Sequence, residues 1–210
     1  APLSNAFHLF LVPLLGDNMT TELIEIYKYG PNPNIIVEGE AAATEQEKID
    51  WKLLQLCQRA NGNLAFWYDF DELNVRITDA GFQRQENDNF KPAYKYQENN
   101  LRNSFRNKGF NALDEVLLFL ETNIETYPEF KESGSYTLHR NAIVRSTEEV
   151  NQTYFINNSR LVFLRLQTHF SFVQDNILRP ALGESLYNLL ITSLASTTLD
   201  DSTKLKIESL

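Results

Sequence analysis

The sequence predicts a mainly α-helical fold, a helical bundle with one small β-hairpin. Three observations carry this. Apolar residues recur at three- and four-residue spacing through most of the 210 positions. Helix-start signals stand ahead of several of those stretches, and the period drops to two only at about residues 74–84. The tetrapeptide Pro-x-Leu-Gly occurs twice between helical stretches, at Pro13–Gly16 and Pro180–Gly183.

Phe7, Phe10, Leu11 and Leu14 have helical spacing, and Ser4 or Asn5 can cap a short helix reaching Val12. Pro13 is expected to disturb it, because proline lacks an N–H and its ring meets the carbonyl four residues back. Gly16 supplies a left-handed turn, and Asp17 or Asn18 is expected to cap a helix over about Thr20–Tyr29. Gly30-Pro31-Asn32-Pro33-Asn34 marks a loop extending to residue 43. Thr44 and Glu47 match a capping box, so a long helix should follow over about 45–69. Its core stripe reads Ile49, Leu53, Leu56, Cys57, Ala60, Leu64 and Trp67.

Asn74–Thr78 alternates polar and apolar, Asp79-Ala80-Gly81 is a turn, and Phe82-Gln83-Arg84 returns, which predicts the hairpin. A polar loop follows over 85–93. Helices at about 93–107 and 111–124 are expected to part at Lys108-Gly109, the second burying Leu113, Val116, Leu117 and Leu120. Tyr127–Phe130 begins a short helical turn that Ser133-Gly134-Ser135 breaks, and His139 falls in an expected surface turn. Ser146 and Glu149 form a second capping box, opening a helix to about Phe155. Asn157, Asn158 or Ser159 should cap a long helix to Leu178. Its stripe is Leu161, Leu164, Phe172 and Ile177, with Phe163 and Phe170 flanking. Pro180 is expected to end it. Glu184–Leu194 is helical again, 196–201 is a loop and 202–210 a final helix. The whole reads as one helical domain, 1–210, with corners at 6–29 and 170–195, a hairpin-bearing middle at 74–93 and a tail at 196–210.

The two corners align without a gap at an offset of 167 over twelve residues, Pro13–Ile24 against Pro180–Ile191. Pro, Leu15/Leu182, Gly16/Gly183 and the final Ile are identical, and Asp17/Glu184, Met19/Leu186 and Leu14/Ala181 are similar. Either a duplication or convergence of helix corners on Pro and Gly accounts for this. In both cases the expected roles are architectural: Pro13 and Pro180 stop a helix, Leu15 and Leu182 plug the corner, and Gly16 and Gly183 take positive φ.

Composition narrows function. The net charge is −9 with pI near 4.9, which argues against a broad phosphate-binding surface or an anionic membrane face. With Cys57 as the single cysteine there is neither an internal disulfide nor a thiolate metal cluster. Phe7–Leu15 is too short to span a bilayer. The chain begins at Ala1 rather than Met, as expected of a processed or trimmed start.

The sequence contains no P-loop, dinucleotide fingerprint, His-Glu-x-x-His or Gly-x-Ser-x-Gly. His8, His139 and His169 are far apart in sequence without ligand spacing. Asp69-Phe70-Asp71-Glu72 is the carboxylate cluster to weigh. It reads as a cation or acid–base site, or as a solvated helix end, the reading its lack of loop glycine and ligand spacing favours. Asp114-Glu115 suits the dipole of a helix first turn. Arg102, Arg106 and Lys108 with Tyr94, Tyr96 and Phe105 form a basic–aromatic patch, fit for a strand of nucleic acid, a protein contact, or plain helix packing. No catalytic residue, metal or cofactor is predicted.

Pro-Leu-Leu-Gly at 13–16, the run Asp71–Gly81, Gly109–Asp114, and Asn157-Asn158-Ser159-Arg160 ahead of Arg179–Gly183 together resemble an uncharacterised family of Bacteroidetes phage and prophage proteins. The resemblance spans about residues 6–195, and Asn-Val-x-Ile-Thr-Asp-Ala-Gly is its most specific part. Members are similar to helical head-to-tail connector (adaptor) proteins. The resemblance implies a non-enzymatic virion structural protein that self-associates into a ring, twelve-fold by analogy, beneath a portal. Its partners would be the portal and tail or second adaptor proteins, with DNA passing through unread and no membrane contact. It would sit in the virion neck, and in the host cytoplasm during assembly. The hairpin, the loop 30–43 and the tail 196–210 are the expected contact segments. The short start at Ala1–Asn5 and the long loop depart from the family pattern. Two other expectations stand beside it: a small regulatory or host-interaction module binding one protein, and a divergent metal-dependent enzyme using Asp69, Asp71 or Glu72.

Overall fold

The computed structural model describes residues 2–30, 43–73, 75–78, 81–83, 94–140 and 142–195. They are overwhelmingly helical. The chain forms two compact units, 1–133 and 134–210, where the sequence reading had one helical domain. The division falls within the predicted breaker Ser133-Gly134-Ser135, and each unit buries apolar side chains of its own.

The first unit opens with α1 (Pro2–Ala6), a π-helical turn (Phe7–Leu11) and α2 (Val12–Leu15), one continuous helical path. Then come α3 (Asp17–Tyr29), α4 (Glu45–Tyr68), α5 (Phe70–Leu73), strands β1 (Arg76–Thr78) and β2 (Gly81–Gln83), α6 (Lys95–Thr122) and a 3-10 turn (Pro128–Glu132). α4 and α6 form the central pair, and α1, its π-turn and α3 pack on α4. Thr44 caps α4 as predicted: its side chain accepts from Glu47 N at 3.2 Å, and Glu47 Oε2 accepts from Thr44 N at 2.6 Å. Leu53, Ala60 and Leu64 of α4 and Val116 and Leu120 of α6 are completely buried between the layers. β1 and β2 pair antiparallel with Arg76 opposite Gln83, Ile77 opposite Phe82 and Thr78 opposite Gly81. That three-pair ladder is the described extent of strand structure, and Asp79 and Ala80 of the predicted turn lie outside the described residues. So do residues 31–42 of the predicted loop 30–43, residues 84–93 and the predicted tail 196–210.

The expected break at Lys108-Gly109 is absent, and α6 runs unbroken for 28 residues. Gly109 is where α4 comes closest. A Cβ there would lie 2.6 Å from Leu64 Cγ and Cδ2 and 3.3 Å from Leu64 N. The glycine that pattern reading takes as a helix boundary is instead the notch that lets the two helices touch.

The second unit contains α7 (Gly134–Arg140), α8 (Thr147–Thr153), α9 (Arg160–Val173), a second π-helical turn (Gln174–Leu178), α10 (Arg179–Leu182) and α11 (Glu184–Ala195). His139 therefore sits in a helix rather than a surface turn. Ser146 and Glu149 form the predicted capping box, with Glu149 N donating to Ser146 Oγ at 3.1 Å. Asn157 and Asn158 take φ of +55° and +51°, a region asparagine tolerates better than most residues. Ser159 then caps α9 by accepting from Val162 N at 3.3 Å. Val150, Ile156 and Phe163 form the core, with Val144, Leu166 and Phe170 against it.

Candidate functional site

The two corners have the same backbone, residue for residue. At the offset of 167, the π-turns Phe7–Leu11 and Gln174–Leu178 coincide, as do α2 and α10 and the starts of α3 and α11. Val12 N donates to Phe7 O and Arg179 N to Gln174 O, the five-residue step of a π-turn. Gly16 has φ +80°, ψ +165° and Gly183 φ +76°, ψ +156°. Gly16 N donates to Val12 O at 2.9 Å and Gly183 N to Arg179 O at 3.0 Å. This corrects the role of the prolines. Pro13 and Pro180 do not stop their helices; each sits inside the helical path, just beyond a π-turn. The extra residue in that turn offsets the carbonyl with which a proline ring would collide and absorbs the missing donor. The glycines make the corner, and neither Asp17 nor Asn18 caps α3, whose cap is Gly16 with no side-chain bond.

Burial separates the two copies. In the first, Ala6, Leu11, Leu15 and Met19 are buried. Phe10 meets Trp67 at 5.9 Å and Tyr68 at 6.1 Å between ring centroids, so the end of α4 covers the corner. In the second, the positions equivalent to Ala6, Phe10 and Leu11 are Val173, Ile177 and Leu178, which are 41%, 56% and 36% exposed. The predicted stripe of α9 is thus corrected: Phe163 is buried, while Phe172 and Ile177 point outward. The inward side instead carries Arg160, Gln167 and Gln174. Arg160 lies 3.9 Å from Glu148, and Gln174 bridges Ile143 N and the Tyr187 hydroxyl at 2.9 and 2.7 Å.

The basic–aromatic patch is assembled at the junction of the α4 end with the first half of α6. Phe66 stacks on Phe105 at 5.3 Å, and Tyr94 on Tyr96 at 5.9 Å. Arg106 rests over Trp67 and Phe110, 5.9 Å from each ring, a cation–π arrangement. Arg102 pairs with Asp71 at 3.0 Å. Lys108 is exposed. The surface suits apolar and planar groups of a partner.

The carboxylate cluster disperses. Asp69 turns inward, its Oδ2 without a hydrogen-bond partner among the described residues, Asp71 goes to Arg102, and Glu72 is exposed. Among the described residues no group of His, Cys, Asp and Glu could hold a metal ion. Asp114 is half-buried, and Glu115 pairs with Arg59 across α4 and α6. His8 and His169 are exposed. Cys57 is buried, and burial pushes its thiol up to about 12, so it is unreactive at neutral pH.

Sequence reasoning missed a buried polar link. The Tyr127 hydroxyl donates to Asp50 Oδ1 at 2.8 Å across 77 residues, and burial followed by that bond raises its pKa. Nearby Glu22 is raised by burial first, then by the negative charges of Glu129, Asp50 and Glu25. No local pattern announces such a pair. It also missed an apolar pocket of about 480 Å³ between α1 with its π-turn, α3 and α4, lined by Leu3, Phe7, Leu11, Leu23, Ile24 and Tyr27 among others.

Among the described residues no helix is long and apolar enough to cross a membrane. Neither a curated protein nor a solved structure matches the chain. The model of the Family of unknown function (DUF6712) matches residues 11–140, nearly all of the first unit and the start of the second. That match covers more than half of the sequence, and the chain belongs to this family.

Proposed function

We propose that the chain is a non-enzymatic structural protein of a tailed phage or prophage, a connector (adaptor) that self-associates into a ring beneath the portal. The observation that carries the reading is the distribution of large apolar side chains. Phe66, Leu101 and Phe172 on α-helices and Ile177 on the second π-turn stand half or more exposed, in two different parts of the chain. Surfaces of this kind suit protein contacts, and two unlike surfaces suit the head-to-tail contact that closes a ring. The net charge of −9 supports the same reading, since an acidic lumen lets DNA slide past. The segments singled out by the family likeness have architectural roles: Gly109 seats α4, and Asn157–Arg160 sets the entry to α9. In this reading the partners are further copies, the portal and a tail or second adaptor protein, and the location is the virion neck.

Mass photometry and negative-stain imaging of the full chain, with and without a portal, test this. Rings, or assembly that depends on the portal, are expected. A chain that stays monomeric and ignores the portal sinks the reading. The apolar pocket of about 480 Å³ favours one alternative, a regulatory module binding a single protein. A stable one-to-one complex with a non-virion protein would favour it instead.

A further inference from the structure

We propose that the exposed apolar stretch from Phe172 to Leu178 on one copy seats on the Phe66–Phe105 stack of a second copy of this chain, in a head-to-tail contact. The inference rests on self-association and adds which surfaces meet.

The internal repeat indicates what covers such a stretch. The first corner, identical in backbone, presents Ala6, Phe10 and Leu11, and the aromatic end of α4 covers it through Trp67 and Tyr68. The second corner carries Val173 in place of Ala6 and Ile177 in place of Phe10, apolar residues at both positions, and leaves them exposed. The chemistry that fits it is another aromatic helix end. Every copy carries one: Phe66, 51% exposed, stacked on Phe105, with Leu101 one turn away on α6 and 50% exposed.

Size and charge agree. At 64%, 41%, 56% and 36% exposure, Phe172, Val173, Ile177 and Leu178 together offer on the order of 350 Å². A standard interface buries about 800 Å² per partner, a little over half of it apolar, so the patch supplies most of an apolar centre. Around it Asp175 and Glu184 share Arg179, at 3.8 and 3.0 Å, leaving excess negative charge. Around the Phe66–Phe105 stack lie Arg106, held over the Trp67 and Phe110 rings, and the exposed Lys108. Complementary charge at the rim fixes register. Because the two surfaces differ, the contact is heterologous and propagates around a ring.

The test mixes two full-length variants, Leu101→Cys in one chain and Ile177→Cys in another, under mild oxidation; Cys57 is buried and does not compete. A covalent heterodimer formed in preference to either homodimer is expected. Phe172→Asp and Ile177→Asp should each weaken self-association at least tenfold with the melting temperature unchanged. Ile177→Cys homodimers without heterodimer overturn the head-to-tail geometry. A double-cysteine chain that closes on itself as a monomer overturns the intermolecular assignment. Assembly undiminished in Ile177→Asp overturns this contact while leaving self-association standing. An unmodified chain that is monomeric at every concentration and with portal overturns both.

Discussion

Gly109→Ala puts two well-known effects in opposition. Alanine is a better helix former than glycine by about 1 kcal/mol in a helix interior, so propensity alone predicts a gain. The packing predicts a loss. An added Cβ would lie 2.6 Å from Leu64 Cγ and Cδ2 and 3.3 Å from Leu64 N. Leu64 is completely buried, and neither its Cγ nor its backbone can move aside without shifting α4 against α6. Overpacking of this kind costs about 1–3 kcal/mol, so the net change should be a destabilisation of up to roughly 2 kcal/mol. For a chain of this length that lowers the melting temperature by up to about 8 °C. Gly62→Ala is the internal control: Gly62 lies in α4 with nothing within 4 Å of a new Cβ, so the same substitution should raise stability by about 0.5–1 kcal/mol. Thermal melts followed by circular dichroism on both variants decide it. If Gly109→Ala rises like Gly62→Ala, the close approach of α4 and α6 at that notch is wrong.

Three further outcomes follow from the polar contacts. Tyr127→Phe removes the hydroxyl that bonds Asp50 at 2.8 Å and should cost about 1–2 kcal/mol in urea unfolding; an unchanged midpoint would show the bond is not made in solution. Ser146→Ala removes the cap of α8, costing about 1 kcal/mol, and should speed amide exchange across Thr147–Val150; exchange rates equal to those of the parent chain would count against the cap. Glu22 binds its proton more tightly in the folded chain than in the unfolded one. Stability therefore falls as pH rises above the ordinary glutamate range of about 4.5. Glu22→Gln removes that penalty, so the variant should be the more stable at neutral pH, with the gap closing on acidification. A gap that widens toward acid would contradict the sign.

Much of the fold is local and therefore legible. Thr44-x-x-Glu47 and Ser146-x-x-Glu149 each carry both halves of a reciprocal cap within four residues, and both caps are present. The stripe from Leu53 to Leu64 follows from spacing alone. A glycine in a helical pattern has two meanings, a break or a notch, and for Gly109 only the position of Leu64 on another helix chooses between them. The Tyr127–Asp50 bond was invisible for the same reason: its partners are 77 residues apart and neither residue type advertises a buried role. The Asp69–Glu72 cluster reads in sequence as a solvated helix end, but Asp69 is buried and Asp71 goes to Arg102, which arrives from α6.

The paired corners separate what local sequence determines from what it leaves open. Pro, Leu and Gly at matched positions produce matched backbones, down to the π-turn ahead of each proline, because proline sterics and glycine φ act within a few residues. Burial does not follow. Leu11 and Leu178 occupy equivalent places, yet one is buried under α4 and the other is more than a third exposed. If the corner code were sufficient, both would be covered alike. The difference must come from what each corner is given to pack against, and that is decided by the rest of the chain or by another molecule. A repeated corner with its apolar face outward costs free energy in an isolated chain. That cost is recovered if a partner covers the face, as the proposed head-to-tail contact would do.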